Sequence, residues 1–300
     1  MRGKTYSKPI FMTARLLSAK PVVEKVKLEL KSRCEDLKRR GIVPSMSVVL
    51  VGDSPASLSY IRNKKKLCEE VGAKFTLHQL PSSISQEKFV QLVEGLNSDA
   101  QTNGIIIQLP VSESLKGLEL NNMVVPAKDI DGFHNANTQK LYEGTTDLKL
   151  LLPCTPKGVI NLLKHYEIPI KGQDVVIIGR SLIVGKPLSM LMSNMSATVT
   201  VAHSHTKNLK QLTRQADIVV AAMGKGHFFD ASFFDKNKKT IVIDVGMNSL
   251  NGKLVGDVHT ESVMDVVSAV SPAPGGVGPM TVLSLIENLI NATEKQLKGK

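Results

Sequence analysis

The chain has 300 residues, 42% apolar and 22% charged, and its 38 basic against 27 acidic side chains leave a formal net charge of +11. That size and balance fit a globular protein of one large domain or two of ordinary size, and no apolar run approaches the ~18 residues needed to cross a bilayer. The basic excess calls for anionic company. With only 4% aromatic residues and no zinc-finger spacing, arginine-rich tail or basic-aromatic motif, nucleic acid is disfavoured, and a phosphate-bearing nucleotide or a polycarboxylate explains the charge more economically.

Residues 1–23 carry Arg2, Lys4, Lys8, Arg15 and Lys20 and no acid. A basic, acid-poor leader can be an organelle transit peptide. This one is short and low in serine, and Met12 offers an alternative start, so the reading adopted is an extension over 1–11 with the protein cytoplasmic. Cysteines at 34, 68 and 154 have no metal-site spacing, which suits a reducing compartment without disulfides. Helical spacing runs from Pro21 to Arg40 and stops at Gly41. Ser45 to Val51 is a short apolar strand closed by Gly52-Asp53-Ser54-Pro55.

The next helix, Ser57 to Val71, buries Leu58, Ile61, Leu67 and Val71. It sets Tyr60 and Lys64 four residues apart, on one side of the helix. Lys65 and Lys66 have Glu69 and Glu70 as four-apart partners, whereas Lys64 has Cys68. By itself this is an ion-paired surface face. A second strand follows at Lys74 to Leu80, then a helix from Ser85 to Leu96 capped by serine. A buried-type strand, Gly104 to Pro110, carries Gln108 at its end. Strands alternating with helices imply a parallel sheet whose ligands gather beyond the strands' carboxyl ends, where Gln108 would emerge. Lys128-Asp129-Ile130-Asp131-Gly132 is a turn, a binding loop or, least of all, a metal pair with His134. Asn135 to Leu152 has little periodicity and reads as a linker. Thr155-Pro156 then opens a helix, threonine as cap and proline first.

A second alternating block begins near Gly172. Strand Asp174 to Ile178 leads through Gly179-Arg180-Ser181 and Val184-Gly185-Lys186-Pro187 into a helix, the arrangement that sets phosphates against free backbone N–H groups. Gly179 and Gly185 stand six apart and do not make the usual dinucleotide fingerprint. The strand Ala197 to Ala202 ends in His203-Ser204-His205-Thr206-Lys207. No acid stands there to hold a ribose hydroxyl, as NAD sites require. With Arg180 nearby, NADP is favoured. Strands at Ala216 to Ala222 and Thr240 to Val245 complete a four-stranded Rossmann-like module. The Pro274-to-Pro279 run reads as a shaped loop, and Met280 to Leu297 as an amphipathic helix.

Taken in order, these motifs resemble the bifunctional 5,10-methylenetetrahydrofolate dehydrogenase/methenyltetrahydrofolate cyclohydrolase family (the bacterial FolD type). The matching residues are Val51-Gly52-Asp53 with Pro55-Ala56-Ser57, Tyr60 to Lys66, Ile107-Gln108-Leu109-Pro110, Lys128 to Gly132, Pro153 to Gly158, Gly179-Arg180-Ser181 with Val184 to Pro187, Asp244-Val245-Gly246, Gly256-Asp257-Val258 and Pro274 to Thr281. The resemblance implies a two-domain α/β fold: a folate-binding catalytic domain over 1–150, a Rossmann-like NADP domain over 151–279, and a last helix, 280–300, returning to the first domain. It implies Lys64 as catalytic base, Tyr60 and Gln108 as its partners, and Asp131 gripping the pterin, with Ile107, Leu109, Pro274, Gly275, Gly276, Val277 and Gly278 lining the folate side. Gly179, Arg180, Ser181, Ser204, Met247 and Thr281 would hold NADP. A homodimer through the cofactor domain and a folate substrate, polyglutamylated or not, follow in the same way, and no metal is expected. Departures fall at Leu16-Leu17-Ser18-Ala19, which lacks the family's frequent Asp-Gly pair, and at Met223, Met247 and Ser271. Two other readings compete, a shikimate-type NADP oxidoreductase and a basic nucleotide- or RNA-binding protein. Neither assigns work to Tyr60, Gln108 and the glycine-proline run together.

Overall fold

The computed structural model describes residues 13–298, so the extension expected at 1–11 lies outside the described residues. In chain order the elements are β1 (Arg15–Leu16), α1 (Lys20–Arg39), β2 (Ser45–Val51), α2 (Pro55–Glu70), β3 (Lys74–Leu80), α3 (Gln86–Ser98), β4 (Gly104–Ile107), α4 (Leu120–Met123), α5 (Asn135–Tyr142) and α6 (Cys154–His165). There follow β5 (Asp174–Ile178), α7 (Gly185–Asn194), β6 (Thr198–Ala202), α8 (Leu209–Gln215), β7 (Ile218–Ala221), β8 (Ile241–Asp244), β9 (Asn248–Leu250), β10 (Lys253–Val255), α9 (Thr260–Val263), β11 (Ala269–Val270) and α10 (Val277–Lys298).

Two parallel sheets carry the fold. The first has order β3-β2-β4 and the second β1-β11-β8-β7-β5-β6. Every residue of β2 is buried, as a central parallel strand covered on both faces must be. The same holds for β7, and four of five β5 residues are buried. One continuous apolar core joins the sheets: Met46, Val48 and Leu50 of β2, Ile160 and Leu163 of α6, Val175 and Ile177 of β5, and Leu283, Ile286, Leu289 and Ile290 of α10. Helix α10 packs chiefly along α6 and α1, and also against α2. The last helix of the chain thus returns to the first sheet's layer.

Several local expectations change. Strand β4 ends at Ile107, one residue before Gln108, short of the Gly104-to-Pro110 strand expected. The stretch read as a linker contains α5, opened by His134, whose Nδ1 accepts from Ala136 N at 2.9 Å. Helix α6 starts at Cys154, so Thr155 is not its cap; its hydroxyl instead meets that of Thr281 at 3.1 Å. Val277-Gly278-Pro279, read as loop, forms the first turn of α10. Proline is tolerated there because the first N–H groups of a helix have no intrahelical acceptor. The second sheet gains two strands that the four-stranded reading lacked. One of them, β1, comes from the chain's start and pairs in parallel with β11, Arg15 opposite Ala269. A two-residue strand has no period to read, which is why patterning passes over it.

Candidate active site

The first cluster forms where α2 meets the end of β4. Gln108 N donates to Val49 O at 2.9 Å, keeping the residue in line with the sheet after the strand has ended. The side-chain amide donates from Nε2 to Leu109 O at 2.9 Å. That orients Oε1 outward, where it accepts from Lys64 Nζ at 2.9 Å. The pairing of Lys64 with Gln108 is therefore present. Tyr60 departs from expectation. It shares a helix side with Lys64, but its hydroxyl is aimed across the cleft at Met247 Sδ. Burial pushes the Tyr60 phenol above its usual range. Of the two neighbouring lysines, Lys65 faces Glu69 at 3.8 Å. Glu70 pairs with Lys27 of α1 at 2.8 Å rather than with Lys66.

The two acids of the Lys128-to-Gly132 turn have separate jobs. Asp129 is buried and accepts from Gly132 N at 3.0 Å, His134 N at 2.8 Å and Asn137 Nδ2 at 2.9 Å. Its oxygens are occupied holding the loop together. Lys128 is buried too and donates to the carbonyls of Leu96 at 3.0 Å and Asp99 at 2.7 Å, tying down the end of α3. Asp131, with Asp129, lines a small cavity shared with Ile107, Leu109 and Phe133, and its carboxyl meets the Cys154 thiol. Its low-dielectric setting pushes the carboxyl up, with the Lys64 charge pulling the other way and Asp129 adding to the rise. A carboxylate beside an amine, over apolar walls, can accept paired N–H donors from a flat heterocycle.

On the other sheet the glycines explain themselves by contact. A Cβ on Gly179, whose φ is +134°, would lie 2.2 Å from Ala222 O, and one on Gly185 would lie 2.1 Å from Gly179 O. The strand end, the β7 exit and the start of α7 are packed backbone on backbone. Ser181 Oγ accepts from Val184 N at 3.2 Å and Gly185 N at 3.5 Å, while Arg180 and Ser181 are exposed. Ser204 is exposed in a turn held by His203 N donating to Thr206 Oγ1 at 2.8 Å. A strand end, a glycine cradle and a ten-residue helix together suit a dinucleotide's phosphates. An exposed guanidinium beside serine hydroxyls suits a further phosphate on the ribose.

Met247 joins the two sides. Besides touching Tyr60, its Cε would lie 3.2 Å from a Cβ on Gly278, at the start of α10. The preceding loop is anchored by Ala19 N donating to Gly275 O at 2.8 Å. A Cβ on Gly276 would lie 2.6 Å from Pro272 O. Of this run it is Gly278 that comes against Met247. Thr281 sits deeper, its hydroxyl bonded to Val277 O at 3.2 Å and close to Thr155.

Beneath the cofactor loops lie groups to which the sequence attached no role. Asp257 is fully buried and accepts from Met223 N at 2.7 Å, Gly224 N at 3.0 Å, Lys225 N at 2.7 Å and Asn248 Nδ2 at 3.0 Å. It shapes the turn after β7. Asp244 accepts in turn from Gly246 N at 2.9 Å, Asp257 N at 3.0 Å and Val258 N at 2.9 Å. Burial pushes it up to about 7 against those donors. The signal was present in sequence, an acid closing a strand of buried apolar residues, but spacing could not say which backbone it would hold.

Comparison with known proteins follows the same division. The family model described as tetrahydrofolate dehydrogenase/cyclohydrolase, catalytic domain, matches residues 17–131. Its companion, the NAD(P)-binding domain, matches residues 153–297. The bifunctional protein FolD of Halalkalibacterium halodurans is 45% identical over 284 residues, 95% of this chain and 100% of that protein. The crystal structure of the bifunctional dehydrogenase/cyclohydrolase FolD from Campylobacter jejuni aligns with a TM-score of 0.90 at 41% identity, covering 94% of this chain and 99% of that one. That of the Trypanosoma brucei dehydrogenase-cyclohydrolase, complexed with NADP cofactor and inhibitor, aligns with a TM-score of 0.90 at 30% identity, over 95% and 99%.

Proposed function

This chain belongs to the tetrahydrofolate dehydrogenase/cyclohydrolase family, and from that premise we propose how its residues divide the work. It is a bifunctional enzyme of folate metabolism, a methylenetetrahydrofolate dehydrogenase and methenyltetrahydrofolate cyclohydrolase that uses NADP. Of the described residues we assign those from 17 to 150 to folate binding and catalysis, those from 151 to 276 with strand β1 to the cofactor, and α10 (Val277–Lys298) to a helix packed back on the first domain. The observation that carries the assignment of roles is the Lys64–Gln108 hydrogen bond, close enough to Asp131 for the Lys64 charge to act on its carboxyl.

Asp131 accepts the N–H donors of the pterin edge, with Ile107 and Leu109 against its faces, and Pro274 to Gly278 closes the far side. Gly179, Arg180, Ser181 and Ser204 hold the phosphates and ribose, with backbone near Met247 and Thr281 completing the pocket. When bound there, NADP accepts the hydride that leaves the methylene carbon bridging N5 and N10. The protein's task in that step is alignment. The product is a methenyl cation, and the second step adds water to it. Lys64, donating one N–H to Gln108 Oε1 at 2.9 Å, is held with its amine facing the cation. There it takes the proton from the attacking water as general base. The resulting carbinol hydroxyl gives up its second proton to form the formyl C=O as the N5–carbon bond opens and N5 takes up a proton, giving 10-formyltetrahydrofolate with one proton released overall. Tyr60, stacked over the same space from α2, confines the substrate; its placement against Met247 makes it a wall between the two domains.

The excess charge of +11 suits the anionic tail of a polyglutamylated folate. A homodimer through the cofactor domain is supported by β6, which forms one edge of its sheet with Val201 36% exposed. A cytoplasmic location is supported by cysteines that are all free and buried; among the described residues, no helix is long and apolar enough to cross a membrane. One experiment tests the whole reading. Methylenetetrahydrofolate with NADP should yield NADPH and a methenyl absorbance that then decays. Absence of both signals overturns it.

A further inference from the structure

Nothing assigned so far explains why the core under the Asp131 loop contains a lysine and an asparagine. Asn288 of α10 and Lys157 of α6 are both fully buried. Asn288 Nδ2 donates to Ile130 O at 2.9 Å and to Leu152 O at 3.0 Å. Its Oδ1 accepts from Lys157 Nζ at 2.9 Å, and Lys157 is paired with Glu287 Oε2 at 3.0 Å. The two carbonyls belong to the residue before Asp131 and to the chain crossing behind it. Those two stretches touch, since a Cβ on Gly132 would lie 2.3 Å from the Leu152 carbonyl carbon.

A buried ion pair is a poor means of stabilising a core, because well-packed apolar side chains of the same volume do as well or better. Here the pair fixes which way the Asn288 amide faces. With its oxygen held by Lys157, its nitrogen must point at the Ile130 and Leu152 carbonyls. Asp129 holds the same loop from the other side through Gly132 N and His134 N. Asp131 is thus clamped between two buried side chains, one from its own loop and one from the last helix of the chain.

We propose that Asn288, oriented by Lys157 and Glu287, is the positioning residue for Asp131, and that through it α10 sets the affinity of both reactions for folate. The proposal rests on the reading of Asp131 as the pterin-binding carboxylate. Asn288→Asp is the informative variant. It keeps the side-chain volume and a partner for Lys157, but turns an acceptor towards two carbonyls. A displacement of about 1 Å at a positioned group can cost on the order of a hundredfold. The expected result is therefore a rise of about tenfold or more in KM for folate substrate in dehydrogenase and cyclohydrolase assays alike, with kcat and the dissociation constant for NADP within about threefold of the parent. In an Asp131→Ala background the same substitution should change KM no further, because it acts through the carboxylate that has been removed.

If N288D shifts NADP and folate binding together with a fall in melting temperature, the residue is structural only and the proposal fails. An unchanged folate KM fails it as well. Should N288D not fold, Lys157→Met frees the amide to rotate and is expected to raise folate KM in the same direction; no rise there overturns the proposal. Asp131→Ala by itself separates the two levels. If it leaves folate KM unchanged, the reading of Asp131 falls. If it raises KM while N288D does not, only the clamp falls.

Discussion

At the residue scale the site comes down to which polar groups have been left available. Three lysines stand in a row on α2, and only Lys64 has its amine on Gln108 at 2.9 Å. Lys65 is held by Glu69 at 3.8 Å. Replacing Lys64 by methionine should lower cyclohydrolase turnover by about 10²–10⁴, the range for loss of a general base. Dehydrogenase activity should fall much less, since hydride transfer requires alignment and not proton removal. Following methenyl decay and NADPH formation separately on Lys64→Met checks the split, and equal losses would show that the lysine only binds. Asp131 gives a pH test. Burial raises its carboxyl above the ordinary carboxylate range in the free enzyme. The anion needed to accept pterin N–H donors is therefore lost on acidification at a higher pH than an ordinary aspartate would allow. The acid limb of kcat/KM for folate should turn down above that ordinary range, and Asp131→Ala, assayed at high folate, should lack that limb. A profile unchanged by the substitution would assign the limb to another group.

At the scale of elements, the cofactor side depends on how closely three backbone segments approach. Gly179 has φ +134° and leaves only 2.2 Å between a would-be Cβ and Ala222 O. Alanine there must push β5 and β7 apart or twist the turn. We expect Gly179→Ala to raise KM for NADP at least tenfold and to destabilise the fold by about 1–3 kcal/mol, as a side chain forced into a left-handed or crowded position does. Isothermal titration with NADP and a thermal melt measure the two effects. Unaltered NADP affinity would mean the glycine serves the sheet alone. Spacing made this turn legible as a strand, a break and a helix. It gave no sign of the close approach to Ala222, because that partner lies on another strand. The first turn of α10 was misread for a related reason. Three glycines and two prolines in six residues read as loop, yet proline in a first helical turn has no hydrogen bond to lose.

Over the whole molecule, the second sheet is closed at one edge by the chain's own beginning, β1 on β11, and the first layer is covered by its end, α10. The two layers share the largest apolar core cluster, with a further cluster against each sheet. Loosening one should therefore be felt in the other, and unfolding should be cooperative across both. Asp244, beneath the cofactor loops, adds a pH dependence. Its pKa is raised in the folded state to about 7, so folding favours the protonated acid. That contribution is complete below the ordinary carboxylate pKa, shrinks as pH rises, and is gone above about 7. The melting temperature of the parent should fall between about pH 4 and pH 7, and Asp244→Asn should flatten that slope. A slope identical in the variant would show that other groups set it.

Repeating strand and helix periods and the glycine turns were enough to set the α/β class and the two-part build, because each is written in short-range spacing; the family and its chemistry came from the resemblance carried by the ordered motifs. Lys64 stood out locally as one lysine without a carboxylate partner and Gln108 as a polar residue at a strand's end, but spacing alone left both open and the resemblance gave them their roles. What sequence could not contain is partnership at a distance. Tyr60 turned to Met247, Glu70 to Lys27, Thr155 to Thr281, and Asn288 to the carbonyls flanking Asp131, with 134 or more residues between Asn288 and each of the contacts on Leu152, Cys154 and Ile130. Such choices are made when layers pack and buried polar groups must find whichever donor or acceptor lies nearest. The residue types that do the chemistry are legible along the chain; which of them are held still, and by what, is decided only in three dimensions.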